Sequence, residues 1–143
     1  MDISNIINRP ELEKVIDESK IESYYQFEYQ NRVFTIFIHN HTKEDESKKN
    51  FPFFWQGNSS IGDYDVYIAT NIINKVFAKP ILLHETLEAF LQEALPYNVE
   101  NGSSIKTAHN IAKEYDEKYA KKMMDDSLFL EYLQFKKNLI KSF

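Results

Sequence analysis

Residues 83–89, Leu-His-Glu-Thr-Leu-Glu-Ala, place an imidazole and two carboxylates inside an otherwise apolar stretch. At about 100° per residue, His84 and Glu88 share an arc with Ile81, Leu87, Leu91 and Leu95, so a helix here carries both polar groups on its buried stripe rather than its wet face. An ionised carboxylate in such a stripe is costly unless a cation or hydrogen-bond donors receive it. A divalent metal ion satisfies both side chains at once. His109 adds a third group, because it follows Ile105 by one helical turn and precedes Ala112 on the apolar stripe of a second helix.

If the two helices form an antiparallel hairpin with residue 95 opposite residue 103, Glu88 is level with about residue 110, and His109 falls beside it, about a turn from His84. His84, Glu88 and His109 then converge and leave one coordination position open, the arrangement of a catalytic zinc. Asp116 falls near residue 82, too far from His109 to share the ion but placed to orient His84 from behind. Glu85 adjoins the first ligand on the flank of the stripe, where a carboxylate can take a proton from water polarised by the ion without binding the ion itself.

These residues resemble the zincin-like metallopeptidases, whose His-Glu-x-x-His helix supplies two zinc ligands and a general base. The nearer likeness is to small zincin-like proteins with a Leu-His-Glu-x-x-Glu helix, here Leu83 to Glu88, followed by a helix bearing Ala-His-x-x-Ala, here Ala108 to Ala112. The resemblance spans roughly residues 64–120. It departs from the usual zincin pattern at Glu88, which stands where the second histidine would be, while a histidine comes from the downstream helix. It implies a zincin-like fold, Zn²⁺ as the cofactor and a peptide or protein as substrate. It also implies that the strand before the ligand helix, Asp65–Ala69, lies along the substrate cleft and binds a peptide by strand addition.

Two functions fit this pattern. One is a zinc-dependent hydrolase, a peptidase of narrow specificity with Glu85 as base and His84, Glu88 and His109 as ligands. The other is a non-catalytic scaffold for partner binding or regulation, in which the same three residues form a structural polar cluster. Spacing alone selects no oxyanion-stabilising group among Tyr97, Tyr115 and Tyr119. A second histidine pair, His39-x-His41, shares one face at the end of a strand but has no third ligand nearby, and it reads as exposed polar residues.

The elements that must position these groups follow from the patterning. One or two short amphipathic helices precede residue 21, with Pro10 as a first-turn residue. Tyr25, Phe27 and Tyr29 alternate with polar residues, and after Asn31-Arg32 the run Val33–Ile38 is β-branched and aromatic, which predicts a hairpin whose second strand is buried on both faces. Residues 40–50 are charged without periodicity and read as a solvated loop. Phe51-Pro52-Phe53-Phe54-Trp55 reads as aromatic packing over the edge of the core rather than as a recognition patch. Gly57 and Gly62 have the spacing of a phosphate loop, but Asp63 and Tyr64 stand where that motif needs Lys and Ser/Thr, so a nucleotide site is excluded. Asp65–Ala69 reads as a strand and Ile72–Phe77 as a short helical turn.

Helices are then expected over residue 80 to about 95, from Ser103 or Ser104 to about Met124, and after the Asp125-Asp126-Ser127 cap. Lys136, Lys137 and Lys141 are read as complementing the C-terminal dipole of the last helix. The fold class expected is therefore α+β: a small sheet of about three strands packed against a helical C-terminal half, zincin-like, as one domain over residues 1–143. Composition supports a single core, with 143 residues, 43% hydrophobic and 15% aromatic. The net charge of −5 disfavours nucleic-acid binding. The absence of cysteine removes disulfides, thiolate nucleophiles and cysteine zinc sites. The acidic N-terminus is unlike a secretory signal and no run is long enough to span a membrane, so a cytoplasmic protein without membrane contact is expected.

Overall fold

The computed structural model describes residues 6–58, 60–94 and 104–140. It opens with α1 (Arg9–Glu18), which is capped by the Asn8 side chain accepting from the Glu11 N–H and carries Pro10 in its first turn. The hairpin follows. Strand β1 (Gln26–Tyr29) pairs antiparallel with β2 (Arg32–His39) through Gln30 and Asn31. These two residues have φ of 48° and 65°, the left-handed backbone that a two-residue type I′ turn requires.

The charged stretch after β2 contains a short helix, α2 (Lys43–Ser47), which corrects the loop reading. Local hydrogen bonds build it: the Thr42 side chain accepts from the Asp45 N–H, and the Asp45 side chain accepts from the Thr42 N–H, a reciprocal capping box that needs no apolar periodicity.

The sheet has four strands rather than three. The added strand is β3 (Phe53–Asn58), which pairs antiparallel with β4 (Asp63–Ala69), and β4 also lies parallel to β2. The strand order is β1-β2-β4-β3. The aromatic run alternates as a strand: Phe53 is buried in the core, while the Phe54 ring stacks on Tyr67 with centroids 4.5 Å apart. Gly57 belongs to packing, not to phosphate binding, because the Tyr64 ring of the neighbouring strand occupies the space where a Cβ would stand. Gly62, at φ 63°, closes the turn into β4.

Two 3₁₀ turns, Thr70–Ile72 and Lys75–Phe77, lead into α3 (Ala78–Ala94). This helix is the centre of the molecule, with the sheet on one side, α1 at its flank and α4 (Ser104–Met123) on the other side. The expectation of a wet face on this helix is corrected, because Leu83, Glu85, Thr86, Ala89 and Phe90 are as buried as Ile81, Leu87 and Leu91. A helix between two layers must be apolar nearly all round. The arc carrying His84 and Glu88 is instead the one that opens onto a cavity.

Leu87, Leu91 and Ala112 are fully buried and Tyr115 is half-buried, while the Ile105 side chain lies outside the described residues. The last helix, α5 (Asp126–Ile140), packs on α4, so the C-terminal half is helical and the fold is α+β. Among the described residues, no helix is long and apolar enough to cross a membrane.

Candidate metal centre

The antiparallel packing of α3 on α4 brings His84 opposite Asp116 and Glu88 opposite His109. His84 Nδ1–H donates to Asp116 Oδ2 at 2.6 Å, which leaves Nε2 facing Glu88 Oε2 at 3.3 Å. His109 Nδ1 stands 3.0 Å from the same Glu88 oxygen, and the two imidazole rings meet edge to face with centroids 5.0 Å apart. One ligand-type atom from each of His84, Glu88 and His109 lies within 4.8 Å of the others, the one such group of three among the described residues. His109 is 47% exposed at its side chain, so it stands at the rim of the site rather than facing inward as its spacing predicts.

Asp116 is fully buried and accepts from three groups. Besides His84, the Tyr132 hydroxyl donates to its Oδ1 at 2.8 Å and Lys136 Nζ donates to the same atom at 2.6 Å. Lys136 also bonds Glu117 Oε2 at 2.8 Å, so it is drawn into the protein from α5, which corrects its reading as a dipole-complementing surface residue. Tyr132, Phe135, Lys136 and Leu139 recur at helical spacing, so the sequence did contain a signal that Lys136 shares the apolar face. Trp55 was also missed. Its Nε1–H donates to Glu88 Oε1 at 3.0 Å from β3, a contact that depends on the unpredicted fourth strand.

The electrostatics follow from this layout. Burial works against charge on His84, but its hydrogen bonds to Asp116 and Glu88 outweigh it and raise its pKa to about 10. Burial likewise opposes charge on Glu88, yet the contacts with His109, His84 and Trp55 hold its carboxyl well below the usual carboxylate range. Glu85 has neither compensation. Burial pushes it up to about 7 against the pull of the His84 charge, and no described residue hydrogen-bonds its carboxyl.

Glu85, His84, Glu88, His109 and Asp116 all border one cavity of about 640 Å³. No protein-family model, curated protein or solved structure matches this chain. The chemistry of the site is therefore read from its own geometry. Two imidazole nitrogens and a carboxylate oxygen form a donor set suited to Zn²⁺, and the Asp116 contact behind His84 is of the kind that fixes the tautomer of a ligating histidine.

The strand assigned to the cleft is corrected. Asp65–Ala69 lies inside β4, which is paired on both sides by β2 and β3 and has no free edge. The edge beside the cavity belongs to β3, whose Phe53, Phe54 and Trp55 border it. Of the tyrosines considered as oxyanion donors, Tyr115 and Tyr119 do not line the cavity. Tyr119 donates to Asp17 Oδ1 at 2.5 Å, Tyr115 stacks under Lys118, and Tyr97 lies outside the described residues. His39 and His41 serve local structure: His39 Nε2 contacts the Pro52 carbonyl at 2.9 Å, and the His41 N–H donates to Asn71.

Proposed function

We propose that this chain is a zincin-like, zinc-dependent hydrolase, a peptidase of narrow specificity, in which His84, Glu88 and His109 hold Zn²⁺ and Glu85 is the general base. The observation that carries the reading is the approach of those three ligand-type atoms to within 4.8 Å of one another at the wall of a cavity that the Glu85 carboxylate, without a hydrogen-bond partner among the described residues, also borders. When bound, the ion supplies Lewis acidity and a water of lowered pKa.

The chain's own residues do the rest. Asp116 holds the Nδ1 proton of His84 and so keeps Nε2 directed at the ligand cluster. Trp55 fixes Glu88 from the opposite side, and Tyr132 and Lys136 fix Asp116. Glu85 accepts the proton of the attacking water and returns it to the departing amine, so hydroxyl is added to the acyl carbon and hydrogen to nitrogen as the C–N bond breaks. As the edge strand beside the cavity, β3 is the strand placed to pair with an extended peptide.

One observation favours the scaffold reading: Glu88 Oε2 is shared by both imidazoles, so the cluster is hydrogen-bonded without an ion. The deciding experiment measures zinc by elemental analysis on untagged protein, with cleavage of a peptide library in parallel for wild type and Glu85→Gln. The hydrolase reading expects bound zinc in both and a loss of roughly 10²–10⁴-fold in cleavage in the variant. Zinc-loaded wild type that cleaves nothing decides for the scaffold.

A further inference from the structure

On α4, positions 109, 113 and 116 follow each other at helical spacing and all border the cavity. Lys113 therefore stands on the cavity wall between His109 and Asp116, one turn or about 6 Å along the axis from His109. Among the described residues, two cations other than histidine border the cavity, Lys113 and Lys136. Lys136 is committed to Asp116 and Glu117. Farther along α4, Lys118 pairs with Glu114 and Lys122 with Glu13. Among the described residues, Lys113 has no such partner, although Glu85, Glu88 and Asp116 border the same cavity. It is also only partly exposed.

A lysine on a cavity wall that also includes Phe53, Trp55, Ile81 and Leu139 is suited to receive an anion from a ligand with a large apolar body. The size of the cavity, about 640 Å³, suits a ligand of a few residues rather than a long chain.

Resting on the hydrolase reading above, we propose that the substrate is the C-terminal end of a peptide: a free α-carboxylate on a residue with an aromatic or large aliphatic side chain, with Lys113 as the specificity-determining residue that receives the carboxylate. The spacing agrees. In an extended peptide the terminal carboxylate carbon lies about 3.3–3.6 Å beyond the last amide carbonyl carbon, and a charge-assisted hydrogen bond to an ammonium adds about 2.7–2.9 Å, roughly 6 Å together. That is comparable to the single helical turn separating His109 from Lys113, so an amide carbonyl at the ligand cluster puts the carboxylate at the ammonium.

The test uses zinc-loaded full-length protein in the Glu85→Gln background, so that the probes are not consumed. Binding of N-acetyl-Leu-Phe, its C-terminal amide, and N-acetyl-Leu-Asp-amide is measured by calorimetry. The free acid is expected to bind roughly ten- to a hundredfold more tightly than its amide, the worth of one charge-assisted hydrogen bond. Lys113→Gln should bring that ratio close to one and Lys113→Arg should keep it. Lys113→Met serves as the neutral variant if the glutamine variant fails to fold.

Equal binding of acid and amide overturns the proposal. So does a preference that survives Lys113→Gln, which places the carboxylate on the ligand cluster instead. Binding of the internal aspartate as tightly as the free acid overturns the terminal specificity. Failure of the hydrolase reading is visible separately, as absent zinc or absent cleavage by wild type while the Lys113-dependent preference for the acid persists.

Discussion

Replacing Asp116 with asparagine tests the support behind His84 with almost no change of volume. Three donors converge on the carboxylate: His84 Nδ1 on one oxygen, and Tyr132 and Lys136 on the other. An amide has one acceptor oxygen, so whichever way it turns, its NH₂ meets a donor. The cheaper orientation keeps the oxygen toward Tyr132 and Lys136 and turns the NH₂ to His84. The imidazole must then accept at Nδ1 and carry its proton on Nε2, the nitrogen that faces Glu88.

Stability and metal binding should therefore part company. Breaking a buried charged pair costs about 3–5 kcal/mol. Lys136 keeps Glu117 at 2.8 Å and the amide still accepts one set of bonds, so the low end, about 3 kcal/mol, is expected here. For a chain of this length that is roughly a 10 °C fall in Tm. Zinc affinity should fall about 10–100-fold, because the protonated Nε2 no longer offers a lone pair. The assays are urea unfolding of metal-free protein and zinc competition against a chromophoric chelator. Wild-type zinc affinity in a variant that has lost the expected stability would refute the orienting role of Asp116, and loss of neither would refute the hydrogen-bond assignment itself.

His109→Ala should lose most of the zinc affinity and only about 1 kcal/mol of stability, the worth of its one hydrogen bond to Glu88 from the rim of the site; a much larger drop in Tm would show that the ring is a core group. Gly57→Ala should destabilise by about 1–3 kcal/mol, because the new Cβ would stand 2.0 Å from the Tyr64 ring, and denaturant melts measure it; a neutral result would mean that the edge strand shifts freely. Asp45 should titrate at about 2, held down first by the Thr42 N–H and then by Asn50 and the Thr42 hydroxyl. Its folded pKa lies below the unfolded value, so the stability it lends α2 is complete above about pH 4 and disappears as pH falls through about 2. Carboxyl carbon NMR shifts against pH check this, and titration at the unperturbed value would remove the capping box.

The spacing of His84, Glu88, His109 and Asp116 along the chain is enough to set them level on two antiparallel helices. Helical periodicity fixes which residues share a face, and an antiparallel hairpin fixes which turns are level, both of which are local rules. The β1–β2 hairpin was legible for the same reason, since alternation and a two-residue turn are written in neighbouring residues. Tertiary structure alone decided what lies around those groups. Whether Phe51–Trp55 is a packed loop or a strand depends on β4 offering a free edge 10 or more residues away, and Trp55 reaches Glu88 only because β3 took it. Lys136 looked like a surface charge until α5 folded back over Asp116. The burial of α3 on all sides, and hence the opening of its His84–Glu88 arc onto a cavity, required two layers packing on one helix. No local pattern encodes that. A side chain's chemical type and helical phase are properties of the chain, while its partners and its access to solvent are properties of the packing.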